Sequence, residues 1–190
     1  MVGGTKVYGW LVGHHKCKIG GEESEGETVS GVEMGLAAAS AVHSLVERRE
    51  TFAVAESLTG GLVAATVVEI PGVSSVFRGG FVVYATELKH ALAGVPADLL
   101  AERGPVDPDV ALALARGARE RCGADWGLAT TGVAGPEPQG GKAVGTVYVA
   151  VAGPDRDQVR HLRLDGPRSS VREQTVIAAL GLLTEELRRT

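Results

Sequence analysis

Cysteine is scarce in this chain of 190 residues: Cys17 and Cys122 lie far apart, and neither belongs to a C-x-x-C pair. That argues against a disulfide framework and a zinc knuckle and makes a reducing cytoplasm the expected compartment. Positive charge is not in excess either. With 19 basic and 23 acidic side chains the net charge is -4, the wrong sign for a surface built to neutralise a nucleic-acid backbone. No apolar run approaches the roughly 20 residues of a membrane span, and no signal-peptide apolar core is expected at the N-terminus. Neither nucleic acid nor membrane is therefore an expected partner. His43, His90 and His161 are scattered without an obvious acid partner, so a Ser-His-Asp triad has no support. His14-His15-Lys16-Cys17 resembles half of a metal site, but no second ligand pair stands at a recognised spacing, and no metal is expected.

What is present is enough apolar material, 44% of the residues, for one sizeable core. Residues 1–30 hold seven glycines and the acidic cluster Glu22, Glu23, Glu25 and Glu27, which predicts a flexible tail before one domain over 31–190. Periodicity predicts a helix from about Val32 to Arg49, with Val42, Leu45 and Val46 on one face. A strand over 51–55, a helix from Leu62 and a strand over 78–84 follow. Pro96 and Pro108 sit where first-turn prolines open helices, with Asp107 as N-cap of the second. A short buried strand over 125–131, two strands joined through Gly153-Pro154-Asp155, and a closing helix over 169–188 complete the reading. Early alternation of strand and helix with a late hairpin predicts a mixed sheet covered by helices on both faces.

Two segments stand out. Ala55-Glu56-Ser57-Leu58-Thr59-Gly60-Gly61 joins an apolar strand to a helix, a place for plain capping or for a nucleophile held at a helix start. Glu56 there suits either the helix macrodipole or a ligand-orienting role. The second segment, Thr130 to Gly141, is not a Walker A loop, because Gly141 stands where the lysine belongs and a strand follows. Small residues and hydroxyls at the end of a strand can still meet an anion, and they equally suit a ligand-free connection. Lys89 can reach Ser57 if the ends of the first two strands open on one sheet edge. From the residues alone it reads first as a solvated helix lysine, and as a base only where desolvation or neighbouring cations lower its pKa.

Taken in order, AESLTGG, FVVYATELK, TTGVAGPEPQGGKAVGTVYVAV and RSSVREQT resemble the C-terminal domain of the CinA (competence-damage-inducible) family over about residues 42–188. That family includes the nicotinamide-nucleotide amidohydrolases. The resemblance implies a three-layer α/β/α sandwich with a mixed sheet. It also implies hydrolysis of the nicotinamide mononucleotide carboxamide, giving nicotinate mononucleotide and ammonia, without cofactor or metal. Its partners would be a small-molecule nucleotide substrate and further copies of the chain in a homo-oligomer. Carried over by position, it makes Ser57 the nucleophile and Lys89 its base, with Tyr84 beside them and N–H groups at the helix start steadying the oxyanion. Glu56, Thr59, Gly60, Gly61, Thr131, Gly132, Ala134 and Gly135 would line the substrate pocket, with Arg172 facing the phosphate. Family members usually have Cys at position 58 and Asn at position 86, where this chain has Leu58 and Thr86. A non-catalytic pyridine-nucleotide-binding module of the same fold is the alternative, since fold alone does not fix function.

Overall fold

The computed structural model describes residues 31–189. The expected tail, with its acidic cluster and the His14–Cys17 fragment, lies outside the described residues. Helix α1 (Gly31–Arg48) leads into strand β1 (Phe52–Glu56), helix α2 (Leu62–Val68), a 3-10 turn (Val73–Ser75) and strand β2 (Phe77–Val82). Helices α3 (Thr86–Ala91), α4 (Ala97–Arg103) and α5 (Pro108–Cys122) follow, then strands β3 (Trp126–Gly132), β4 (Thr146–Ala152) and β5 (Asp157–Arg163) and helix α6 (Arg168–Arg189). None of the described helices is long and apolar enough to cross a membrane.

The sheet is mixed, in the order β2-β1-β3-β4-β5: β1 runs parallel to β2 and β3, and β4 is antiparallel to both β3 and β5. Its two faces differ in side-chain size. Phe52, Val54, Trp126, Leu128, Val147, Val149 and Val151 point to a layer of α1, α2 and α6. Ala53, Ala55, Ala129, Ala150 and Ala152 point the other way, toward α5. Large residues fill the first interface and contribute about 2–3 kcal/mol each on full burial. On the second face the small residues bring main chain close to main chain. A Cβ placed on Gly127 would collide with the Ala115 carbonyl of α5, and one on Gly117 with the Ala93 carbonyl. The result is an α/β/α sandwich.

Several elements follow directly from local chemistry. Asp107 accepts from the Asp109 N–H at 2.9 Å, Pro108 opens α5, and Gly123 closes it in the left-handed region at φ 60°. Elsewhere the boundaries move. Strand β2 ends at Val82 rather than Tyr84: the Val83 N–H still donates to the Glu56 carbonyl at 2.8 Å, but the Val83 and Tyr84 carbonyls accept from Lys89 instead of a neighbouring strand. Val42 and Leu45 are buried, but Val46 is 46% exposed, at the rim of the α1 stripe beside Ile70 and Pro71.

Topology places the site. The chain leaves β1 toward α2 on one face and leaves β2 toward α3 on the other, so a crevice opens between the carboxyl ends of two adjacent parallel strands. Glu56 pairs with Val82 on one side and Thr130 on the other, so the three strand ends are nearly flush.

Candidate active site

Ser57 is the first residue beyond β1. Its N–H donates to the Thr130 carbonyl at 3.0 Å, which keeps the chain against β3 for one more residue. The turn then needs left-handed backbone at two successive positions, which glycine supplies with no Cβ to clash: Gly60 at φ 60° and Gly61 at φ 95°. Helix α2 starts immediately after.

Lys89 reaches the serine from α3. It is 1% exposed, and its Nζ lies 3.1 Å from Ser57 Oγ, 2.8 Å from the Val83 carbonyl and 3.4 Å from the Tyr84 carbonyl. The two strand ends do open on one edge, and the solvated-lysine reading does not hold. Burial pushes the Lys89 amine down from 10.5 to about 8, against the opposing pull of the Glu87 carboxylate. A neutral amine has two N–H groups and one lone pair. The two carbonyls can take the N–H groups, and the lone pair is left for the serine hydroxyl. That arrangement can accept a proton from Ser57.

These two residues open into a narrow cleft with a cavity volume of about 90 Å³. Tyr84, Thr86, Pro105, Val106 and the segment Thr131 to Gly135 line it, with Glu137, Gln139 and Arg168. The Thr131 hydroxyl donates to the Pro105 carbonyl at 2.6 Å, tying β3 to the wall that precedes α5. Tyr84 is 56% exposed, and its hydroxyl accepts from Arg168 at 2.7 Å, so it presents its carbonyl, not its phenol, to Lys89. Arg168 also donates to the Gly135 carbonyl at 2.6 Å and so bridges opposite sides of the mouth.

The remaining expected site residues are not brought to the cleft wall, and their polar atoms are already engaged. The Glu56 carboxylate is buried and accepts from the N–H groups of Gly61 at 2.9 Å, Val63 at 3.0 Å and Ala64 at 2.8 Å. It caps α2 from inside the fold, where the macrodipole favours an anion. Those N–H groups, at the helix start expected to steady an oxyanion, are therefore taken. The Thr59 hydroxyl pairs with that of Thr130 at 2.7 Å in the core. Gly60 and Gly61 shape the turn. Arg172 binds the turn's backbone, with Nε 3.1 Å from the Leu58 carbonyl and a terminal nitrogen 2.6 Å from the Thr59 carbonyl.

Leu58 is 4% exposed and joins the α1/α6-side core, and Thr86 starts α3 at the cleft edge. Arg168, Glu137 and Gln139 were not anticipated. Arg168 heads the RSSVREQT segment, four residues before Arg172 and on the same side of α6, and its position directly after Gly166-Pro167 was the available signal. Among the described residues no group of three or more His, Cys, Asp or Glu side chains is placed to hold a metal ion.

Known proteins resemble this chain in sequence and fold. The model of the CinA C-terminal domain matches residues 36–187. A CinA-like protein of Frankia casuarinae is 48% identical over 161 residues, covering 85% of this chain and 35% of that protein. A putative competence-damage inducible protein of Desulforamulus reducens is 46% identical over 136 residues, 72% of this chain and 33% of its own length. The chain thus spans about a third of the length of these relatives. Among solved structures, the competence/damage inducible protein CihA of Agrobacterium tumefaciens superposes with a TM-score of 0.78 at 33% identity, covering 82% of this chain and 96% of the other. A CinA superfamily protein of Klebsiella pneumoniae reaches 0.80 at 27% identity, covering 83% and 99%.

Proposed function

The chain belongs to the CinA C-terminal domain family, and from that premise we propose that it hydrolyses the carboxamide of nicotinamide mononucleotide through Ser57 with Lys89 as base. The observation that carries this reading is the buried 3.1 Å contact between Lys89 Nζ and Ser57 Oγ. A serine hydroxyl alone is a weak nucleophile, and a desolvated amine within hydrogen-bond reach activates it.

In the first half-reaction Ser57 Oγ bonds to the carboxamide carbon while its proton passes to Lys89. The tetrahedral intermediate collapses with cleavage of the C–N bond, and Lys89 returns that proton to the departing nitrogen, which leaves as ammonia. Water then attacks the acyl-enzyme, giving its proton to Lys89. Cleavage of the ester and return of the proton to Ser57 Oγ release nicotinate mononucleotide. Arg168 at the mouth supplies the positive charge suited to the substrate phosphate. A homo-oligomer working without metal or cofactor remains part of this proposal.

The test is ammonia release from nicotinamide mononucleotide by purified protein, beside Ser57→Ala. Wild-type turnover is expected, with loss of nearly all kcat in the variant and retained ligand affinity. Binding of the nucleotide without ammonia release by the wild type would favour the non-catalytic module, and normal turnover by Ser57→Ala would remove Ser57 from the chemistry.

A further inference from the structure

The N–H groups that open α2 are bound to Glu56, yet a tetrahedral intermediate at Ser57 needs a donor for its developing negative charge. Among the described residues two donors in the turn, the N–H groups of Leu58 and Thr59, meet no protein acceptor. Thr59 is fully buried away from the cleft, whereas Leu58 lines it directly after the nucleophile. The N–H of the residue following a nucleophile is the oxyanion donor in other serine hydrolases built on a strand-turn-helix elbow.

The groups behind that N–H form a continuous chain. Arg172 donates to the Thr59 carbonyl at 2.6 Å. The N–H of the same amide, on Gly60, donates to the Ser57 carbonyl at 3.0 Å. The N–H of that second amide is the one on Leu58. Neither peptide is cis, so in each the carbonyl and the N–H point in opposite directions. Two amides therefore stand head to tail between a guanidinium and the Leu58 N–H, and each hydrogen bond polarises the next. The second contact of Arg172, to the Leu58 carbonyl at 3.1 Å, fixes the intervening peptide of the turn.

From this geometry we infer that the Leu58 N–H stabilises the oxyanion and that Arg172, anchored on α6, is the positioning residue that aims and strengthens it. The inference rests on Ser57 being the nucleophile. It gives Arg172 a role in kcat rather than in holding the substrate phosphate.

The experiment compares wild type, Arg172→Gln and Arg172→Lys on nicotinamide mononucleotide and on nicotinamide riboside, which lacks the phosphate. It also measures the rate at which a fluorophosphonate labels Ser57. In that labelling the Ser57 Oγ–P bond forms, fluoride leaves and the serine proton passes to Lys89. Arg172→Gln is expected to lower kcat for both substrates by the same factor, roughly 10- to 100-fold, with KM within about twofold. Labelling should slow in step, and the pH at which Lys89 titrates should not move. Arg172→Lys, which keeps the charge but not the fork, should recover part of the loss. A KM rise confined to the phosphate-bearing substrate, an unchanged kcat, or a pH limb displaced along with the loss would each overturn the relay. If Arg172→Gln does not fold, Arg172→Lys carries the same comparison. Wild-type protein that labels at Ser57 but leaves nicotinamide mononucleotide intact would sink the substrate alone, since the labelling rates still test the relay. An unreactive Ser57 would overturn both.

Discussion

On the proposed mechanism, with Lys89 as the base, its burial sets the pH dependence of turnover. At an ordinary lysine pKa of 10.5 about one amine in three thousand is neutral at pH 7, whereas at about 8 the share is about one in eleven. The fold thus enriches the competent form by about 300-fold, equivalent to about 3 kcal/mol. Because the base must be neutral, kcat should rise with unit slope on a logarithmic scale as pH increases toward about 8, and level off above it. The same shift has a consequence for stability. The unfolded chain binds the lysine proton more tightly than the folded one, so stability should increase with pH between about 8 and about 10.5. Below about 8 the folded state bears the full cost of the charged, buried amine. Ammonia release between pH 6 and 10, set beside urea unfolding over pH 7 to 10.5, gives two independent readings of one pKa. Lys89→Arg stays protonated throughout and should lose both the turnover and the alkaline gain in stability. A flat kcat profile, a limb near pH 10, or comparable kcat in wild type and Lys89→Arg would refute the general-base role.

Three further outcomes follow from neighbouring contacts. Glu87 opposes the fall in the Lys89 pKa, so Glu87→Gln should move the kcat limb to lower pH and raise turnover at pH 6.5, and a limb moved upward would reverse that assignment. Glu56→Gln replaces one accepting oxygen by an amide that cannot accept, which should cost about 2–3 kcal/mol; an unchanged urea midpoint would mean that the cap on α2 contributes nothing. Gly127→Ala places a methyl group against the Ala115 carbonyl and should cost about 3 kcal/mol. A calorimetric melting temperature equal to wild type would show that α5 can move away freely.

Much of this architecture was legible because period and punctuation agreed. The β-branched run before AESLTGG, the glycines within it, and Asp107-Pro108 at the start of α5 each have one favoured backbone geometry. The burial of Lys89 was not legible, because α3 is six residues long, too short for a stripe to show which side faces inward. Glu56 was legible only as a choice between the helix macrodipole, which the structure bears out, and a ligand: its partners lie five, seven and eight residues ahead, across a turn, at separations belonging to neither strand nor helix periodicity. Arg168 and Arg172 share one side of α6 by spacing, yet one bridges the cleft mouth and the other binds the AESLTGG turn. Which arginine meets which loop is decided by the sheet order, and that is a long-range property.

The close seam between α5 and the alanine and glycine face of the sheet constrains how this cleft can evolve. Backbone lying on backbone has no rotamers with which to absorb a new side chain, so the seam behaves as a hard stop. The chain entering α5 supplies Pro105 and Val106 to the cleft wall, so that wall is joined to a helix whose distance from the sheet is limited by main-chain thickness at Gly127. Substitution can therefore do little to widen the cleft there. On the proposed function, altered substrate preference is expected at Tyr84, Glu137 and Arg168, where side chains of different length can be exchanged without displacing α5. Lineages that diverge in what they accept should accordingly vary at those three positions while Gly117 and Gly127 stay fixed.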